Sequence, residues 1–213
     1  MAQHILILGA GIAGLTTALA LHKYLPNHKS KITIFEIRAS PSTIGGAVNL
    51  TPKPLRYVDH LGVYDVFTSK ELGAECQTID IFDLSSGSKY AAVSFEGAEG
   101  KGVGKEGQKP FFSRRVMRRE IQNAMLELVK SLEGVDVVFG TKVVQMQETD
   151  SLVQMHLKDG ETRTGDCLLG SGPSSSTPTA NHLRPASPSP WPPPPCPPLQ
   201  QPPYHHLGRP PAS

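Results

Sequence analysis

Residues 7–14 read ILGAGIAG, and this stretch decides how the N-terminal part of the chain folds. It continues the apolar run HILIL, which is typical of a strand buried on both faces of a sheet. From Ile12 to Tyr24 the pattern of alanine, leucine and threonine predicts a helix, which Pro26 ends. Residues 31–37, KITIFEI, predict a second strand. Strand, glycine turn, helix and strand together indicate a right-handed parallel crossover.

The three glycines of the turn, Gly9, Gly11 and Gly14, have the spacing G-x-G-x-x-G. In that motif the first glycine permits the tight turn, and the second lets backbone N–H groups approach a pyrophosphate. The third lets the helix pack closely on the strand, and the phosphate lies at the positive end of the helix. The spacing therefore predicts dinucleotide binding, and the alternative is a glycine turn needed only for packing.

Glu36 favours the first of these interpretations. It ends the second predicted strand, 22 residues beyond Gly14, where a carboxylate can accept hydrogen bonds from a ribose diol. Because a carboxylate would repel a 2′-phosphate, we expect a cofactor with a free 2′-hydroxyl, which FAD and NAD both have. We interpret Arg38, two residues further on, as a solvated surface residue.

Composition narrows the class of protein. The formal charge of +2 is too small to indicate a nucleic-acid surface. The three cysteines share no metal-type spacing, and their odd number argues against a disulfide framework, so we expect a reducing, cytoplasmic compartment. The 17 residues from Ile5 to Leu21 carry no charge, but they contain the glycine motif and no cleavage site. We therefore expect neither a membrane nor a nucleic-acid partner.

The chain changes character after Gly170. Fifteen of its 20 prolines lie in the last 42 residues, and its last acidic residue is Asp166. Such a segment cannot bury enough apolar surface to offset the entropy of ordering it. We expect a folded domain over residues 1–170 and a disordered tail, rich in proline and serine, over residues 171–213.

The rest of the folded part predicts an α/β protein, in which a Rossmann-like parallel sheet carries an added antiparallel β hairpin. Apolar spacing predicts a helix over residues 53–72 and an amphipathic helix over residues 114–132. Residues 76–95 predict the hairpin, around a Ser-Ser-Gly-Ser turn. Short strands follow, and Asp159-Gly160 predicts a hairpin between two of them.

The chain resembles the FAD-dependent aromatic-ring monooxygenases of the salicylate hydroxylase and para-hydroxybenzoate hydroxylase type. Four stretches carry the resemblance: HILILGAGIAGLTTALAL with ITIFEI, GGAVNLTPKPLRYVDHLGVYD, VMRREIQNAML, and DG with TGDCLLG. It implies that Ala47, with its neighbours in GGAV, lies against the flavin. It also implies that Arg118 contacts FAD, with Arg119 or Arg115 as alternatives in a shifted register.

Two of these stretches have simpler interpretations, which stay open. GGAV can be an ordinary turn. The cluster Arg114, Arg115, Arg118 and Arg119 can be the solvated face of a helix, as most charge runs are.

The resemblance stops after Gly170. In the family the strand similar to Cys167–Gly170 is followed by Ala-Asp-Gly, and that aspartate binds the flavin. Here Ser171, Gly172 and Pro173 stand at these positions, so the aspartate is absent. Two accounts are open: a genuine short protein with a disordered tail, or a reading frame derailed by a frameshift or a retained intron. The abrupt change favours the second, and the genomic DNA after codon 170 distinguishes them.

By resemblance, the activity is hydroxylation of a small aromatic substrate with FAD, NAD(P)H and O₂. We expect a truncated and inactive N-terminal fragment of such an enzyme, because the substrate domain is missing. The alternatives are a non-catalytic FAD-binding remnant and an NAD-binding dehydrogenase domain. We assign no catalytic residue and no metal ligand. The candidate cofactor contacts are Gly9, Gly11, Gly14, Glu36, Ala47 and Arg118.

Overall fold

The computed structural model describes residues 3–25, 30–42, 45–105, 107–149 and 151–171. Of the predicted disordered tail it describes Ser171 alone, and the rest of that prediction lies outside the described residues. The strands and helices, in chain order, are β1 (His4–Leu8), α1 (Ile12–Tyr24), β2 (Lys31–Phe35), β3 (Ala47–Leu50), α2 (Pro52–His60), α3 (Val63–Ser69), β4 (Ala74–Cys76), β5 (Thr78–Phe82), β6 (Lys89–Ser94), β7 (Ser113–Met117), α4 (Arg118–Ser131), β8 (Val135–Val138), β9 (Val143–Glu148), β10 (Val153–Leu157), β11 (Thr162–Gly165) and β12 (Cys167–Gly170).

A parallel sheet of four strands, in the order β12-β1-β2-β8, lies at the centre of the fold. The apolar run of β1 serves both faces of this sheet, as its unbroken hydrophobicity predicts. Ile5 and Ile7 pack with α1 and α4 on one face. Leu6 packs on the other face, with Met146 of β9 and Met155 of β10. The glycine turn therefore follows a strand, β1, that is covered on both faces.

Antiparallel strands complete the architecture. Strands β9, β10 and β11 form a three-stranded sheet, and β3, β7 and β4 form another. Strands β5 and β6 form the hairpin expected from the sequence, and β10 and β11 form the hairpin around Asp159-Gly160. The predicted fold class, an α/β protein with a parallel sheet and an added antiparallel hairpin, is confirmed.

Two predicted helices differ from the structure. The helix expected over residues 53–72 is divided into α2 and α3, because Gly62 has a φ of 78°, which interrupts the helix. The helix expected over residues 114–132 begins only at Arg118. Residues before it form β7, where Val116 is fully buried and pairs with Val48 of β3. Pairing with a distant strand overrides the local helical pattern there.

None of the helices in the described ranges combines the length and the apolar character needed to cross a bilayer.

Candidate functional site

Gly9 and Gly14 are both required by the fold itself. Gly9 has a φ of 101°, and its N–H donates to the Phe35 carbonyl oxygen at 2.7 Å. A side chain is strained at that φ. A Cβ on Gly14 would stand 2.0 Å from the Gly9 carbonyl oxygen and 2.7 Å from the Ser171 Oγ. These two glycines therefore let α1 begin close against the end of β1.

Gly11 differs from its two neighbours in the motif. It caps the N-terminus of α1 with φ −76° and ψ 179°, which any residue can adopt. Apart from Gly11 itself and its two chain neighbours, no described residue has an atom within 4 Å of the position that its Cβ would occupy. The fold therefore neither strains nor crowds a larger residue at this position. The structure leaves an open space beside Gly11 and the first N–H groups of α1.

Glu36 is held at the edge of the same turn. Its Oε2 accepts a hydrogen bond from the Ala10 N–H at 2.8 Å, and its Oε1 accepts one from the Arg38 N–H at 3.0 Å. A carboxylate oxygen can accept a second hydrogen bond, so both oxygens retain capacity for a ligand. The Arg38 guanidinium donates to the Ser42 carbonyl oxygen, which ties this arginine to its own loop.

A second group of predicted contacts meets where β3 approaches the start of α4. Ala47 pairs with Met117, and the Arg118 N–H donates to the Gly46 carbonyl oxygen at 3.1 Å. A Cβ on Gly45 would stand 3.4 Å from the Arg118 Cδ, so this glycine lies beside the arginine side chain. Ala47 and Arg118 are both exposed. The structure thus brings GGAV and Arg118 together.

The charges at the start of α4 are unusual. Arg118 and Arg119 occupy the first turn, where the positive end of the helix dipole disfavours cations. The carboxylate of Glu120 accepts a hydrogen bond from the Met117 N–H at 3.2 Å and offsets part of this charge. No carboxylate among the described residues forms an ion pair with Arg118. Its exposed guanidinium is therefore available to an anion.

Gln122 connects α4 to the glycine turn, and it was not among the residues predicted for the site. It is only 5 % exposed, and its Nε2 donates to the Ala10 carbonyl oxygen at 2.8 Å. Gln122 is four residues beyond Arg118, so both side chains lie on one face of the helix. A polar residue in the apolar stripe of α4 is the one signal that could have found it.

Ser171 is the second residue that sequence reasoning missed. Its N–H donates to the Leu8 carbonyl oxygen at 2.9 Å, and its Oγ lies 2.6 Å from that oxygen and 3.0 Å from the Gly9 carbonyl oxygen. The residue that follows β12 thus holds the first peptide groups of the turn. The local sequence around Ser171 does not predict a contact with residues 8 and 9.

His4 lies at the opposite end of β1 from the turn. Burial, reinforced by the charge of Lys31, lowers the pKa of its imidazole. Its Nε2 lies 2.9 Å from the Thr33 Oγ1. The contact with Thr33 joins β1 to β2.

A family comparison agrees with this geometry. Residues 7–54 match the sequence model of the NAD(P)-binding Rossmann-like domain, a range that runs from the end of β1 through α1, β2 and β3 to the start of α2. Fold and family model together show that the described part of the chain contains a Rossmann-like fold.

Similar proteins narrow this class. The chain is 26 % identical over 172 residues to the FAD-dependent urate hydroxylase of Klebsiella pneumoniae, a match covering 80 % of this chain and 40 % of that protein. It is 25 % identical over 171 residues to the FAD-dependent monooxygenase pynG of Aspergillus niger, covering 80 % and 36 %. The chain therefore spans about two-fifths of the length of these relatives.

Solved structures show the same fold. The p-nitrophenol 4-monooxygenase PnpA of Pseudomonas putida matches with a TM-score of 0.68 at 19 % identity, over 83 % of this chain and 42 % of that one. The structure of CtdE in complex with FAD matches with a TM-score of 0.58 at 21 % identity, over 80 % and 38 %. The resemblance drawn from the sequence is thereby confirmed: over about 80 % of its length this chain is similar to FAD-dependent monooxygenases.

Proposed function

We propose that this chain binds FAD and corresponds to the FAD-binding part of a flavin-dependent monooxygenase. The observation that carries the proposal is the contrast among the three glycines. The fold requires Gly9 and Gly14, whereas Gly11 borders open space at a helix N-terminus. A glycine that the fold does not need is explained by the close approach of a pyrophosphate.

The residues present fit a dinucleotide. The pyrophosphate would lie at Gly11 and the N-terminus of α1, where backbone N–H groups and the helix dipole favour an anion. The free lone pairs of the Glu36 carboxylate would accept hydrogen bonds from a ribose diol. Gly9 and Gly14 would shape the turn without contacting the ligand through side chains.

Arg118 and Ala47 support FAD over NAD. Their shared surface at the start of α4 is formed by residues other than those of the turn and Glu36, so it can add contacts for a larger cofactor. An arginine at a helix N-terminus is unfavourable for the helix alone and is explained by an anionic or polar ligand. The relatives named above are described as FAD-dependent.

Bound FAD would supply the redox chemistry, accepting electrons from NAD(P)H and activating O₂. The described residues would bind and orient it, and we assign none of them a proton-transfer role. We propose that the activity to which this FAD-binding part belongs is hydroxylation of a small aromatic substrate. The alternative is a non-catalytic, FAD-binding remnant, because the chain spans only about two-fifths of the length of the relatives named above. The two unpaired cysteines in the described ranges are compatible with the cytoplasmic location that we propose.

The proposal is tested by titrating the purified full chain with FAD, and separately with NADH, while following flavin absorbance, fluorescence and thermal stability. We expect FAD to bind stoichiometrically, to give a yellow protein and to raise the melting temperature. NADH alone should have little effect. Binding of NADH without FAD would favour the dehydrogenase alternative, and a stably folded chain that binds neither would overturn the proposal.

The same preparation separates enzyme from remnant. A yellow protein that oxidises NAD(P)H faster than free FAD would support an enzyme. A yellow protein without this activity would support the non-catalytic, FAD-binding alternative.

A further inference from the structure

Gln122 stands where an apolar side chain would be the more stable choice. It is 5 % exposed, and its neighbours on α4, Ile121 and Met125, are buried apolar residues. Its Oε1 is buried without a hydrogen-bond partner among the described residues. An unpaired buried acceptor destabilises a fold, so native proteins rarely keep one without a reason. Gln122 is explained instead by its amide nitrogen, because Nε2 donates a hydrogen bond to the Ala10 carbonyl oxygen.

That hydrogen bond fixes the direction of the next N–H group in the turn. In a trans peptide the carbonyl and the N–H point in opposite directions. Because the Ala10 carbonyl is directed at Gln122, the Gly11 N–H is directed away from it. No acceptor for the Gly11 N–H is found among the described residues. The Gly11 N–H is therefore left without a protein acceptor, at a residue whose Cβ position borders open space.

The preceding peptide group is held by other residues. The Ala10 N–H donates to Glu36 at 2.8 Å, and the Gly9 carbonyl oxygen lies 3.0 Å from the Ser171 Oγ. These contacts fix the peptide between residues 9 and 10 but not the one between residues 10 and 11. Among the described side chains, Gln122 is the one that holds the latter.

We propose that Gln122 is a positioning residue that aims the Gly11 N–H at the pyrophosphate of the bound dinucleotide. The inference rests on the proposed FAD site and extends it to a residue buried beneath the turn. Gln122 acts through Ala10 and does not touch the ligand. A donor fixed in advance binds an anion without first losing conformational entropy, which is the advantage of holding this peptide group.

The test is the variant Gln122→Met, which keeps the length of the side chain and removes its hydrogen-bonding groups. It removes the donor to Ala10 and also the unpaired Oε1, so the stability of the protein should change little. The full chain is titrated with ADP, which carries a pyrophosphate, and with adenosine, which does not. The Kd for ADP should rise about fivefold to tenfold, the equivalent of one hydrogen bond, while that for adenosine changes less than about twofold.

Val129→Ala is the matched control. Val129 is fully buried and lies on the same helix, about two turns beyond Gln122. Its truncation should lower the stability without changing the ratio of the two Kd values. Equal weakening of ADP and adenosine binding in Gln122→Met, or no weakening of either, would overturn the positioning role.

Amide hydrogen exchange without ligand separates this inference from the proposed function. If the wild-type chain binds neither FAD nor ADP, the proposed function fails, and exchange at Ala10 decides the role of Gln122. Releasing the Ala10 carbonyl should let the turn open and expose the Ala10 N–H, which Glu36 otherwise protects. We expect exchange about tenfold faster than in Val129→Ala. Equal exchange rates at Ala10 in the two variants would refute the positioning role of Gln122.

Discussion

At the scale of single residues, the G-x-G-x-x-G motif contains two kinds of glycine. Gly9 needs its positive φ, and Gly14 needs the absence of a Cβ, because α1 approaches the strand end so closely. Gly11 has an ordinary extended backbone and open space around it. Of the three positions, only position 11 is not constrained to glycine by the fold. A substitution there can therefore change ligand binding without changing the stability of the protein.

The substitution Gly11→Ser should weaken FAD binding without destabilising the protein. Serine is at least as good as glycine at a helix N-cap, so the free energy of unfolding should stay within about 0.5 kcal/mol of the wild-type value or rise. Its side chain would occupy the space in which we place the pyrophosphate, so the Kd for FAD should rise at least about tenfold. Urea unfolding and flavin fluorescence titration measure the two effects.

Ala20→Val, on the outer part of α1, is the control for a change in this helix that is remote from the turn. It should leave FAD binding unchanged. If Gly11→Ser binds FAD as the wild type does, the pyrophosphate does not lie at this glycine.

At the scale of secondary-structure elements, local sequence was sufficient where an element is stabilised by its own residues. Helix α1 begins at Ile12 and ends at Tyr24, as the alanine and leucine pattern and the following Pro26 predicted. The hairpins of β5 with β6 and of β10 with β11 were also foreseeable, because turn residues separate short runs of strand formers.

Local sequence did not predict the structure correctly where contacts with a distant segment of the chain determine it. The residues of β7 continue the helical pattern of α4, yet Val116 is buried by pairing with Val48, 68 positions earlier. Gln122 could not be recognised as part of the site, because its partner Ala10 is 112 residues away. The candidate contacts named from the motif lie at the turn, but the residues that hold the turn come from α4 and from the end of β12.

Gly62 shows how one residue sets the boundary between two elements. Its φ of 78° ends α2 and starts α3 in a new direction. Gly62→Ala should destabilise the protein by about 1 kcal/mol, because a Cβ disfavours this conformation. Gly62→Asn should destabilise it less, since asparagine tolerates the left-handed region. Urea unfolding compares the two variants, and equal loss in both would mean that the conformation at position 62 is not the cause.

At the scale of the whole molecule, the hairpin of β5 and β6 leaves much apolar surface uncovered. Phe82 is 58 %, Tyr90 79 % and Leu84 103 % exposed, and the two strands pair only with each other in the described part of the chain. A two-stranded ribbon is marginally stable alone, and contiguous exposed apolar residues favour association.

We expect the purified chain to self-associate with rising concentration, as measured by sedimentation velocity. The double substitution Phe82→Ser and Leu84→Ser should shift the distribution towards the monomer, because it removes two large exposed apolar side chains near the hairpin tip. Thr78→Ser, at the other end of the same hairpin, should not. A wild-type chain that remains monomeric at all concentrations would show that this surface does not associate.

Ser171 contacts Leu8 and Gly9 directly after β12, which pairs with β1. This late pairing has a consequence for the order in which the protein folds during synthesis. Strand β1 gains one neighbour, β2, after about 35 residues, but its other neighbour, β12, begins at Cys167. At ordinary elongation rates of 5–20 residues per second, one edge of β1 remains unpaired for roughly 7–26 s. An open strand edge invites pairing with other chains. Nascent chains of this protein should therefore depend on chaperones until β12 has left the ribosome.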